Sequence, residues 1–132
     1  MNLNRVCTTD PPLTTSKSAD FTLYKGTTFR PSFKFKQSDG TPLPINGKVI
    51  TFYIVDSNDL SILTIDSTST TPNGSTIIIT DDPNGIVDIL ITDEETSLLN
   101  FTSGNWWVTL TYLNGDVFLR GRGFIYLKQP YE

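Results

Sequence analysis

Apolar and polar residues alternate with a period of two in several stretches of the chain, and the rest is organised around the one at residues 104–128. Asn114-Gly115 sits between two β-rich runs. This is the strongest short hairpin signal, because both residues of a type I′ turn take φ > 0. A two-residue loop sets Leu113 opposite Asp116, Tyr112 opposite Val117, Leu110 opposite Leu119, Val108 opposite Gly121 and Trp106 opposite Gly123. The other face then pairs Thr111 with Phe118, Thr109 with Arg120, Trp107 with Arg122 and Asn105 with Phe124. The first set is apolar or glycine almost throughout, so it is predicted to face a core; a slip of one residue would exchange the two faces. Gly121 and Gly123 leave room for Trp106 to lie across the partner strand.

The rest of the chain repeats the strand pattern. Asp20–Lys25 reads as a short first strand ended by Gly26, and Phe29–Lys36 alternates with Phe33 and Phe35 on one face. Pro31 marks that run as an edge or a bulge. Lys48–Asp56 is apolar on nearly both faces, as a central strand is. Leu60–Asp66, Thr76–Thr80 and Ile86–Thr92 read as further strands, the last with Val87, Ile89 and Ile91 inward. Ser67–Ser75, rich in Ser and Thr, reads as a mobile surface excursion. The one helical signal follows: Thr92 and Glu95 have capping-box spacing, Asp93 and Glu94 suit a helix start, and Leu98 and Leu99 can reach the core. Seven or eight strands at intervals of roughly 8–12 residues, with one short helix near 93–99, predict an all-β antiparallel sandwich. The expected organisation is an extended arm at 1–19, a domain at 20–128 and a tail at 129–132. The arm, with Pro11-Pro12, reads either as a frayed terminus or as a segment ordered against a neighbouring subunit.

Composition narrows the chemistry. At 132 residues there is one domain, and a 37% hydrophobic content suits a folded one. The net charge of −4 gives no field to attract nucleic acid or an anionic membrane. Without His the usual general base, hydrolytic triads and commonest transition-metal ligand are missing. One Cys, Cys7, builds neither a disulfide nor a zinc site. Asp81-Asp82 and Asp93-Glu94-Glu95 are the carboxylate clusters a hydrolase would need, but turn and cap geometry explains acids at both places. Asp81–Gly85 lacks EF-hand spacing and reads as a plain turn. No enzyme activity, cofactor or metal is expected.

The informative surface is the second face of the final hairpin, with Trp107, Phe118, Arg120, Arg122, Phe124 and Tyr126. Aromatics with Arg, and few Lys, are the composition of a protein interface. Arg5 and Leu13 in the arm join it as candidate contacts. Packing under the protein's own loops is the alternative. Trp107, Tyr126 and Tyr53 would instead be sugar platforms in a carbohydrate-binding module, and stacking of single-stranded nucleic acid is disfavoured by the acidic charge.

Three stretches carry a resemblance: Phe21–Phe29 with Asp39-Gly40-Thr-Pro and Ile45-Asn-Gly47, then Gly85–Leu99, then Asn114-Gly115-Asp116 with Arg120-Gly-Arg-Gly123. The order resembles immunoglobulin-like domains of tailed-phage virion proteins, and looks like the N-terminal domain of upper baseplate proteins and related tail or adaptor proteins. It implies an immunoglobulin-like sandwich without catalytic residues. It also implies a virion component assembled in the host cytoplasm, in a homo-oligomer or symmetric array with other virion proteins. A capsid decoration protein is the alternative within that class.

Overall fold

The structure, a computed structural model, describes residues 19–130. The arm assigned to 1–19 therefore lies outside the described residues except for Ala19, and so do Arg5, Leu13 and the last two residues of the tail. Eight strands and one helix follow in the order β1 (Phe21–Tyr24), β2 (Ser32–Lys34), β3 (Val49–Asp56), β4 (Ser61–Asp66), β5 (Thr76–Asp81), β6 (Ile86–Leu90), α1 (Asp93–Leu98), β7 (Ser103–Thr111) and β8 (Val117–Lys128). They form a five-stranded sheet, β1-β8-β7-β3-β4, facing a three-stranded sheet, β2-β6-β5. The order β8-β7-β3-β4 is the G-F-C-C′ order of immunoglobulin domains, and β2-β6-β5 is their B-E-D. One feature departs from the expected antiparallel pattern: β1 runs parallel to β8, pairing Phe21 with Ile125 through Tyr24 with Lys128.

Alternation makes the core. Ile50, Phe52 and Ile54 on β3, Val87 and Ile89 on β6, and Trp106, Val108 and Leu110 on β7 are all buried between the sheets. Trp106 is the centre of an aromatic cluster, with ring centroids 5.0 Å from Phe21, 5.4 Å from Phe33 and 5.7 Å from Phe52. Its indole N–H donates to the Ala19 carbonyl at 2.8 Å. That carbonyl lies where a Cβ on Gly123 would sit, so Gly123 makes room for the incoming chain as well as for the indole.

The helix starts where expected but does a different job. The Glu95 N–H donates to Thr92 Oγ1 at 3.2 Å, half of a capping box. The Glu95 carboxylate does not return to the cap. It accepts from Thr71 Oγ1 at 2.7 Å and Asn73 Nδ2 at 3.1 Å. With Ser75 fully buried, the Ser67–Ser75 segment is thereby tied to the helix and is not a loose excursion. Leu99 reaches the core, whereas Leu98 is exposed.

Candidate interaction surface

The final hairpin sets which side chains of β7 and β8 look outward, and the chain makes it differently from the two-residue expectation. The Tyr112 N–H donates to the Asp116 carbonyl at 2.8 Å and the Gly115 N–H to the Tyr112 carbonyl at 2.9 Å. Leu113, Asn114 and Gly115 thus form a three-residue loop, with Gly115 at φ 93° in the left-handed position that closes a type I turn. This shifts β8 by one residue, so that Thr111 faces Val117, Leu110 faces Phe118 and Thr109 faces Leu119. Further along, Val108 faces Gly121 and Trp106 faces Gly123, as expected. The surplus residue is Arg120, taken up in a β-bulge.

The turn fixes one end of the strand, and the fit of Gly123 and Ile125 to the core fixes the other. Arg120 absorbs the mismatch, and the side chains between turn and bulge exchange faces. Arg120, expected outside, is fully buried. It donates from its guanidinium to the Tyr112 hydroxyl at 3.1 Å and lies 5.6 Å from the Phe118 ring centroid. Phe118 is half-buried and meets Tyr112 edge-on at 5.0 Å. Leu119, expected inside, is 36% exposed, and Val117 is 58% exposed.

Four of the candidate residues remain on the outer face of the five-stranded sheet: Trp107 on β7, and Arg122, Phe124 and Tyr126 on β8. Arg122 faces Trp107 across the strands, Phe124 faces Asn105 and Tyr126 faces Ser103. Trp107 makes its ring contact with Tyr53 of β3, centroids 5.4 Å apart at 30°. Phe124 is 56% exposed and Tyr126 37%. Trp107, Thr109, Val117, Leu119 and Arg122 line a shallow groove of about 410 Å³. Among the described residues this groove is lined by one cation and no carboxylate, in a chain whose acids outnumber its bases by 14 to 10. The bulge brought Val117 and Leu119 to this surface. Gly115 as the last residue of a three-residue loop was the signal for it.

The carboxylates considered for chemistry are held in structural roles. Asp81, at the end of β5, accepts from Asn84 Nδ2 of the following turn at 2.9 Å, and Asp82 ties that turn to the β2–β3 connection by accepting from the Ile45 N–H at 3.1 Å. Asp93 and Glu94 lie in the first turn of α1, and Glu95 is the loop clamp. Among the described residues, no three His, Cys, Asp or Glu side chains converge in a way that would hold a metal. Thr68, by hydrogen bonds from its hydroxyl and its N–H, holds the Asp66 carboxyl below its ordinary value, and Thr41 does the same for Asp39.

No protein-family model matches the chain, and no curated protein does. Among solved structures it is similar to the N-terminal domain of phage TP901-1 ORF48, with a TM-score of 0.54 and 10% identity over 94% of this chain and 96% of that one. At that identity the likeness is one of fold, and it spans both sheets: this chain has the β-sandwich fold of a phage protein domain.

Proposed function

We propose that this chain is a non-enzymatic structural component of a tailed-phage virion, in the tail or baseplate or as an adaptor. It acts by binding other virion proteins, or copies of itself, through the outer face of its five-stranded sheet. The observation that carries this reading is the gathering of Trp107, Arg122, Phe124 and Tyr126 on one exposed sheet face, with Val117 and Leu119 beside them. Rigid strands present rings and a guanidinium at little entropic cost, the make-up of interface hot spots. The fold shared with a phage protein domain agrees with it.

The test is mass spectrometry of purified particles of the phage that encodes the chain. The reading expects a stoichiometric component, and its copy number separates a tail or baseplate position from a capsid lattice. Absence from particles, with glycan binding by the free chain through Tyr53 and Trp107, would replace this reading with that of a carbohydrate-binding module.

A further inference from the structure

Asparagine followed by glycine occurs four times, at Asn46-Gly47, Asn73-Gly74, Asn84-Gly85 and Asn114-Gly115. In such a pair the backbone nitrogen of the glycine can reach the carboxamide carbon, because glycine has no Cβ in the way. Three of the pairs are built alike. Their glycine N–H is the closing donor of a turn: Gly74 to the Thr71 carbonyl at 2.9 Å, Gly85 to Asp82 at 3.0 Å and Gly115 to Tyr112 at 2.9 Å. Their carboxamides are tied as well. Asn73 Nδ2 donates to Glu95 Oε2 at 3.1 Å, Asn84 Nδ2 to Asp81 Oδ2 at 2.9 Å and Asn114 Nδ2 to Asp116 Oδ2 at 3.1 Å. Both reacting groups are held.

Asn46-Gly47 sits differently in its turn. There the Lys48 N–H closes on the Ile45 carbonyl at 3.0 Å, so Asn46 and Gly47 are the central pair. Gly47, at φ 75°, takes the third place of a type II turn, whose N–H the turn does not use. Among the described residues, neither the Gly47 N–H nor the Asn46 carboxamide has a hydrogen-bond partner. Both residues are exposed.

We infer that Asn46 is a site of spontaneous modification, converted to isoaspartate and aspartate through a cyclic imide with Gly47. Hydroxide from solvent takes the Gly47 amide proton, and the nitrogen attacks Asn46 Cγ. The N–Cγ bond forms, the Cγ–Nδ2 bond breaks, and ammonia leaves. Water then opens the ring at either carbonyl. Each event makes the chain one charge more negative and, in the isoaspartate product, adds a methylene to the backbone just before β3. The new carboxylate arises two residues from Lys48, whose Nζ donates to the Pro44 carbonyl at 3.0 Å and lies 4.8 Å from the Tyr112 ring centroid.

The test incubates the purified full chain at mildly alkaline pH, folded and in urea, and follows each Asn-Gly peptide by mass spectrometry. In the folded chain Asn46 is expected to convert about tenfold or more faster than Asn73, Asn84 and Asn114, which must first break two hydrogen bonds. In urea the four rates are expected to converge. Equal rates in the folded chain, or a faster reaction at one of the other three, would overturn the inference. So would an equally large lead for Asn46 in urea, which would trace the reaction to neighbouring sequence and not to the turn. Isoaspartate and aspartate are both expected at residue 46; aspartate alone would mean direct hydrolysis and would overturn the imide route.

Discussion

Adjacent tryptophans on opposite faces of β7 give the sharpest test of the assigned faces. Trp106 is 1% exposed, meets three phenylalanine rings and donates one hydrogen bond. Replacing a buried aromatic with Ala costs about 3–5 kcal/mol from lost burial and the cavity left behind. The lost indole N–H adds about 1 kcal/mol, because the Ala19 carbonyl keeps its desolvation without its donor. Trp106→Ala is therefore expected to lose about 4–6 kcal/mol, close to the whole stability of a marginal domain. Trp107 is half-buried, and among the described residues its ring contact is Tyr53 alone. Trp107→Ala is expected to lose about 1 kcal/mol or less in the isolated chain, as outward cross-strand contacts do. Urea unfolding followed by far-UV circular dichroism measures both, with midpoint and slope compared separately. A loss under about 1 kcal/mol for Trp106→Ala with more than about 3 kcal/mol for Trp107→Ala would refute the register from which every surface residue is assigned.

Other outcomes follow from single contacts. Gly123→Ala places a methyl group on the Ala19 carbonyl and is expected to cost about 3 kcal/mol in a urea titration. Leu119→Ser is expected to be tolerated within about 1 kcal/mol while Arg120→Ser costs more; the reverse order would mean that β8 has no bulge. Glu95→Gln turns an amide donor towards Thr71 or Asn73, so it is expected to cost about 1–3 kcal/mol and to speed proteolysis at 67–75. The Asp66 carboxyl is held below its ordinary value by Thr68, so its stabilisation is present above the unfolded value of 3.8 and is lost as pH falls through the folded one. Asp66→Asn is expected to flatten slightly the fall in stability as pH drops below about 3.8, since a partly solvated carboxyl contributes little. An unchanged slope would contradict that role.

Much of this was legible in the chain. The continuous apolar run of Lys48–Asp56 placed a central strand, and the alternation in Ile86–Thr92 and Gly104–Thr111 placed two more, with Val87, Ile89, Ile91 and Trp106 inward, because an alternating pattern answers to one buried face. The spacing of Thr92 and Glu95 marked the helix start because a cap is a local interaction. Long-range choices were hidden. The parallel docking of β1 on β8 depends on Gly123 admitting the Ala19 carbonyl, which no local pattern records. The Glu95 clamp joins residues more than twenty positions apart. The hairpin is the most instructive case. A two-residue loop and a three-residue loop with a bulge give the same register at Trp106–Gly123, so the distal half was right although the turn was not. Between turn and bulge the parity inverts, and Arg120 and Leu119 exchange places.

The central claim is that the outer face of the five-stranded sheet is a contact surface in the particle. Hydroxyl-radical footprinting of the free chain and of purified particles, read at Trp107, Phe124 and Tyr126, tests it most directly. The account expects all three to be oxidised in the free chain and protected in particles, with Trp106 protected in both. Equal oxidation of the three outer residues in free chain and particle would contradict it.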